Sequence, residues 1–280
     1  HTYQLYSESM DEKTRHRAIL ASALRRALER NELSLVYQPR LSLKQQRITG
    51  VEALLRWQSK EFGEVSPGQF IPLAEESGLI LEIGAWALRE ALQTLRSWHA
   101  QGFPGLTVAV NVSAMQLQRG DLADVVARTL GETGVAAGFL ELELTESVIM
   151  ANPEKNADTL RACRRLGVFI AIDDFGTGYS SLAYLKRLPL TTLKIDQEFV
   201  SDLTHDVDDE AITSTIINMG HSLSLNVIAE GVETAAQLQF LHDHGCDEIQ
   251  GHWISHALTA EACLQFIREH GLRPAIKAAS

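Results

Sequence analysis

Positive charge is scarce in this sequence: 25 Lys and Arg stand against 36 Asp and Glu, a formal net charge of −11 over 280 residues. A general DNA or RNA binder grips phosphates with a basic surface, so a nucleic-acid polymer is disfavoured as the partner. Cysteine is also sparse. Cys163, Cys246 and Cys263 form no C-x-x-C pair, which points to reduced structural thiols in a cytosolic protein rather than a disulfide or zinc framework. No apolar run approaches the roughly 18 residues of a membrane span, and no signal peptide opens the chain. The expectation is a cytoplasmic domain. His1 is not a natural start, so the chain reads as a fragment of a longer protein whose membrane anchoring stays open. A G-x-G-x-x-G turn after the first strand is missing as well, against a dinucleotide-binding sheet.

What is present is a repeating rhythm. Residues Asp11 to Asn31 pattern as an amphipathic helix, with Ser9 and Glu12 at capping-box spacing. Short β-branched runs then alternate with helical stretches. The runs are Leu33–Gln38, Ile48–Glu52, Leu106–Asn111, Leu140–Glu143, Val168–Asp173, Thr192–Asp196, Asn226–Glu230 and Asp247–Gln250. The stretches Glu82–Gln101, Leu122–Gly131, Glu154–Gly167 and Asp209–Ser224 are long enough for crossover helices. Eight such units in one chain, 45% hydrophobic, favour an α/β fold closed as a TIM-type (β/α)8 barrel, which needs about 250 residues. The expected organisation is a linker and helix over 1–31, left from an upstream junction, and one barrel over 32–280.

Barrel active sites lie at the C-terminal ends of the strands. Those ends carry Glu52, Asn111, Glu143, Asp173 with Asp174, Lys194, Glu230 and Gln250. Any one acid there is as readily a cap for the next helix. Five carboxylates on four strands that converge on one mouth repel each other unless a cation joins them. Hard oxygen donors suit Mg²⁺ or Mn²⁺, and an adjacent pair such as Asp173-Asp174 can share one ion and hold a second, as a two-metal phosphoryl site requires. Lys194 reads as a group that orients a water or a phosphate. His242-Asp243-His244 with Cys246 lacks zinc-site spacing and reads as an exposed turn. The glycines of FGTGYSS are, alone, a weak phosphate-loop signal.

With these residues in hand, the sequence resembles the EAL domains, which hydrolyse cyclic di-GMP. DDFGTGYSSL at Asp173–Leu182 is the most specific segment. YQP at Tyr37–Pro39, EALLRW at Glu52–Trp57, FIPLAEESGLI at Phe70–Ile80, VNVS at Val110–Ser113, ELTES at Glu143–Ser147, KID at Lys194–Asp196 and AEGVET at Ala229–Thr234 follow in the family's order. The resemblance implies a modified barrel with one antiparallel strand. It implies one metal ion on Glu52, Asn111, Glu143 and Asp173, and a second on Asp173, Asp174 and Glu230. Lys194, Glu230 and Asp174 take the catalytic roles, with Lys194 holding the nucleophilic water. Gln38, Leu54, Arg56 and Gln250 contact the dinucleotide. Glu146, Ser180 and Glu233 steady the glycine loop, which in the family leads to a dimer interface. Departures sit after Gln250-Gly251, where His252, His256 and Ala257 replace an aromatic residue and a basic residue followed by proline. The segment YQLYSESMDEKTRHRAI resembles the junction with a GGDEF domain, so upstream GGDEF-like and sensory domains are expected. The implied activity is hydrolysis of cyclic di-GMP to pGpG in a homodimer. The alternatives are a non-catalytic cyclic di-GMP receptor and a dimerising scaffold; degenerate members usually lack metal ligands, and all are matched here.

Overall fold

A computed structural model of the chain describes residues 17–176 and 182–270. Helix α1 covers residues 17–24. The chain then tightens into turns, with the Arg26 and Ala27 amides donating three residues back, and Asn31 adopts a left-handed φ of 54°. The expected helix to Asn31 therefore stops early; its first turns and the Ser9–Glu12 cap lie outside the described residues. Leu20, Ala23, Leu24 and Ala27 pack with Trp57, Phe70 and Leu73 in a core of their own.

The first two strands, β1 (Leu33–Ser42) and β2 (Arg47–Ser59), form a hairpin. Only four residues connect them, whereas a parallel crossover needs a dozen or more. The pair is therefore antiparallel. A short β3 (Gly63–Val65) folds back on the far end of β2. Helices α2 (Pro67–Ser77) and α3 (Ile80–Ala100) then lead to β4 (Thr107–Asn111), which pairs parallel with β2. The βα rhythm continues through α4 (Ala114–Arg119), α5 (Leu122–Thr133), β5 (Leu140–Thr145), α6 (Glu146–Met150), α7 (Pro153–Leu166) and β6 (Phe169–Phe175). It ends with α8 (Leu182–Leu185), β7 (Thr192–Ile195), α9 (Gln197–Ser201), α10 (Val207–Ser222), β8 (Asn226–Ala229), α11 (Ala235–Asp243), β9 (Glu248–Gln250) and α12 (Ala260–His270).

Every neighbouring pair from β4 to β9 is parallel. β1 closes the ring by pairing antiparallel with both β9 and β2. The result is an eight-stranded barrel with one reversed strand, plus the β3 flap. The strands read as near-continuous apolar runs because both faces are covered: Val108, Leu140, Ile170, Leu193, Val227 and Ile249 are all fully buried. Gly134 and Gly167 end α5 and α7 in left-handed caps. The three cysteines are each buried and unpaired. Among the described residues no helix is long and apolar enough to cross a membrane.

One junction sets the wall of the barrel mouth. The Val232 amide donates to the carbonyl of Gln250, and the Trp253 amide to that of Val232. A Cβ on Gly251 would lie 2.2 Å from the Val232 carbonyl oxygen and 2.3 Å from its nitrogen. Backbone cannot yield as a side-chain tip can. Gly251→Ala is expected to cost about 1–3 kcal/mol, the range for overpacking, measured as a lower midpoint in urea with an unchanged slope. Parent-like stability would show that the two segments are free to separate.

Candidate metal centre and catalytic pocket

β2 runs past the mouth of the barrel to pair with β3, so Glu52 is not at a strand end as expected but in mid-strand. Its register places it beside Ala109, two residues before the end of β4. Its side chain points inward, 5% exposed. Asn111 is the last residue of β4 and lies opposite Glu143 of β5; Thr145 lies opposite Asp173 of β6. Lys194 comes from β7, Glu230 immediately follows β8, and Gln250 ends β9. Seven strands thus deliver their polar residues to one level.

Lys194 is the centre of this group. Its Nζ is 2.6 Å from Glu230 Oε1, 2.9 Å from Glu143 Oε2, 3.1 Å from Asp173 Oδ1 and 3.5 Å from Glu52 Oε2. It is fully buried. Burial alone would lower its pKa, but the carboxylates, Glu143 and Glu230 foremost, raise it well above the usual lysine value. Glu52 is further held by Asn111 Nδ2 donating to Oε1 at 2.7 Å and Gln250 Nε2 donating to Oε2 at 2.7 Å. Burial pushes its carboxyl up, but Lys194 and these amides outweigh burial and hold it down at about 2. Glu143 goes the other way: burial and then the neighbouring Glu52 charge raise it well above the carboxylate range. The two acids face one ammonium, and the one with two amide donors keeps the charge.

Asp173, Asp174 and Glu230 bring carboxylate oxygens within 4.8 Å of one another. Asp174 has a left-handed φ of 52°, and its amide donates to Asp173 Oδ1 at 3.0 Å. Strain of this kind in a non-glycine residue is retained where it aims a side chain. Burial, then Asp173 and Asp196, push Asp174 up to about 6. Burial pushes Glu230 up to about 8 despite Lys194. Five carboxylates around one lysine, with raised pKa values in three, are a site short of positive charge. Hard oxygen donors in this density fit Mg²⁺ or Mn²⁺. Glu143 Oε1, buried and without a hydrogen bond, is consistent with a ligand position.

A cavity of about 260 Å³ opens over the group, lined among others by Gln38, Leu54, Asp174, Glu230, Glu233 and Gln250. Gln38 accepts from Gln250 Nε2 at 3.1 Å and donates to the Ser255 carbonyl at 3.2 Å. A larger, more apolar cleft of about 540 Å³ adjoins it across Glu52 and Leu54, and Arg56 lies there with Pro67 and Ile71. Glu146 is buried, and its Oε2 accepts from the amide of Gly176 at 3.0 Å, at the base of the glycine loop. Ser180 lies outside the described residues. Glu233 stands on the pocket wall with its carboxylate 3.0 Å from His252 Nδ1, and the His252 ring packs against that of His256 at a tilt of 39°. The His242–Cys246 segment contains the exposed turn expected of it.

The sequence profile of the EAL domain matches residues 21–257. The chain belongs to the EAL domain family. It is 44% identical to the bifunctional diguanylate cyclase/cyclic di-GMP phosphodiesterase MucR of Pseudomonas aeruginosa, over 94% of this chain and 38% of MucR. It is 43% identical to the cyclic di-GMP phosphodiesterase NbdA of the same organism, over 95% of this chain and 34% of NbdA. The chain thus spans between a third and two-fifths of these relatives. The solved phosphodiesterase of MucR in complex with cyclic di-GMP superposes with a TM-score of 0.84 and 46% identity, covering 87% of this chain and 99% of that one. The EAL barrel, with its reversed strand, is the fold found here.

Sequence reasoning missed two groups beneath the centre. Arg40 of β1 and Glu141 of β5 form a buried ion pair inside the barrel. Glu141 sits in an expected strand, Leu140–Glu143, but Arg40 lies in the part of β1 beyond the expected end at Gln38, and nothing in the sequence says that the two meet.

Ligands must lose their protons before a metal binds. With Glu230 near 8 and Asp174 near 6 in the metal-free protein, Mn²⁺ affinity is expected to rise with pH from 6 to 8, by up to about tenfold per pH unit for each proton released. Calorimetric titration of Mn²⁺ across that range checks it; an affinity flat with pH would contradict the assignment.

Proposed function

We propose that this EAL domain hydrolyses cyclic di-GMP to linear pGpG with the help of two divalent cations, Mg²⁺ or Mn²⁺. The observation that carries the reading is the gathering of Glu52, Asn111, Glu143, Asp173, Asp174 and Glu230 around buried Lys194 at the mouth of the barrel. Its support is the 46% identity to a phosphodiesterase solved with that nucleotide. Glu52, Asn111, Glu143 and Asp173 would hold one ion, and Asp173, Asp174 and Glu230 the other. When bound, the cations supply Lewis acidity to the phosphodiester and lower the pKa of a water beside it.

The chain's own residues do the rest. Lys194, already anchored by carboxylates, donates to the attacking water and fixes its direction. Glu230 and Asp174, which line the same cavity, are placed to accept its proton once deprotonated. The water oxygen joins phosphorus, the bond to the 3′-oxygen breaks, and that oxygen takes a proton from solvent to leave as a hydroxyl. Gln38, Leu54 and Gln250 border the reacting phosphate. Arg56, in the adjoining apolar cleft, suits the second phosphate or a base edge beside it. The domain works in the cytoplasm, in line with its buried, unpaired thiols, within a parent chain that carries GGDEF-like and sensory domains. It pairs as a homodimer through the region of the glycine loop.

Single turnover in ¹⁸O-labelled water is expected to place one label on the terminal 5′-phosphate of pGpG. Asp173→Ala, which strips both ions of a shared ligand, should lower turnover by more than about 10³-fold. Unlabelled product would point to a covalent intermediate, and tight binding without product, cations supplied, would favour the receptor reading. Near-normal turnover of Asp173→Ala would sink the two-ion assignment.

The contact from Glu146 to the Gly176 amide ties the glycine loop to β5 and α6. Glu146→Ala is expected to keep the fold while weakening turnover or dimerisation, read together by assay and analytical sedimentation. Parent-like values for both would leave Glu146 a structural acid only.

A further inference from the structure

Arg40 has no part in the reaction outlined above, yet it is among the most buried charges in the molecule. It lies on β1 opposite Gly50 of β2 and Gln250 of β9, and its side chain runs into the barrel, 3% exposed. Nη1 donates to Glu141 Oε1 in a short contact and lies 3.5 Å from Glu143 Oε1. Thr192 Oγ1 donates to the other oxygen of Glu141 at 2.6 Å. Room for the guanidinium depends on Gly50, where a Cβ would lie 3.1 Å from Arg40 Nη2 and 2.3 Å from Thr107 Oγ1.

A buried ion pair of this kind is weak as a source of stability, because desolvating both partners offsets their attraction. Its position suggests another use. Glu143 is fully buried, with Oε2 held by Lys194 and Oε1 facing Arg40. Glu143 is thus bracketed by two fixed cations on different strands, and the lower one is itself locked by Glu141 and Thr192. Groups beneath a metal ligand that restrict its rotation preorganise the centre, and losing them costs metal affinity.

We propose that Arg40 is a positioning residue of the metal centre. Anchored by Glu141 and Thr192, it forms a charged floor that holds the carboxylate of Glu143 in place for a divalent cation. The proposal rests on the metal-dependent reading of the site.

The test is Mn²⁺ affinity, measured by calorimetry without substrate, for the parent chain, Arg40→Met, Arg40→Lys and Thr192→Val, with thermal melts alongside. Arg40→Met is expected to weaken Mn²⁺ binding by about 10–100-fold, the usual cost of removing a group that orients a ligand. Arg40→Lys should recover part of the loss, and Thr192→Val should show a smaller loss in the same direction. A role confined to stability would lower the melting temperature and leave the affinity alone. A role as mere counter-charge would tighten binding, since a repelling cation is gone. Unchanged or tighter binding in folded Arg40→Met overturns the proposal. Should that variant fail to fold, parent-like affinity in Thr192→Val overturns it instead. A parent chain that binds no Mn²⁺ overturns the metal reading itself, and is told apart because the defect then precedes any substitution.

Discussion

The ammonium of Lys194 is the interaction on which the site depends. Four carboxylates lie within 3.5 Å of it, and without it they would face each other across a buried space and be driven to protonate. The arrangement explains why acids from separate strands can converge at all. It also explains why they stay unequal. Glu52 takes two amide donors besides the lysine and keeps its charge; Glu143 lacks them and is pushed toward the neutral form.

Barrel closure brings these groups together, and closure is achieved by an exception. Eight strands in a purely alternating βα chain would all run parallel. Here the β1–β2 turn is too short for a crossover helix, so β1 is reversed and pairs antiparallel on both sides. The reversal has a chemical consequence. It puts Gln38 next to Gln250 at the mouth and Arg40 deeper inside, so one strand contributes to both the pocket wall and the layer beneath it.

Much of this was legible in the sequence. The parallel strands appeared as apolar runs because both their faces are covered, and the site residues sat where those runs end. Glu52, Asp173, Asp174, Glu230, Gln38, Leu54 and Gln250 all border one cavity, and Asn111 lines the adjoining cleft. Other features were not legible. β1 extends four residues past its expected end, and this concealed how short the turn to β2 is, which was the local signal for the reversed strand. Glu52 read as a strand end because the overshoot of β2 toward β3 depends on pairing partners far along the chain. Arg40 and Glu141 escaped for a related reason. Arg40 lies in the unexpected extension of β1, Glu141 is a charged residue in a strand and so reads as facing solvent, and only closure of the ring turns both inward. Glu233 was matched to the loop, and its visible partner is His252, a residue at which this chain departs from the family pattern.

The acidity of the chain is compatible with an anionic substrate once the charges are sorted by depth. A net charge of −11 disfavours the diffuse attraction that nucleic-acid polymers exploit. At the mouth of the barrel the surplus is local and ordered. Lys194 satisfies part of it and Arg40 supports it from below, while Asp173, Asp174 and Glu230 remain clustered on the cavity side. A phosphodiester arriving there would meet a cluster of carboxyl groups, with Asp174 and Glu230 raised in pKa by burial, a surface that favours cations first. On the two-ion reading proposed above, the same negative charge that repels a bare phosphate suits the pocket to the ions that would attract it. That reading needs no basic patch to draw a doubly charged nucleotide; it needs the carboxylates to be held close together, and Lys194 does this from a fully buried position.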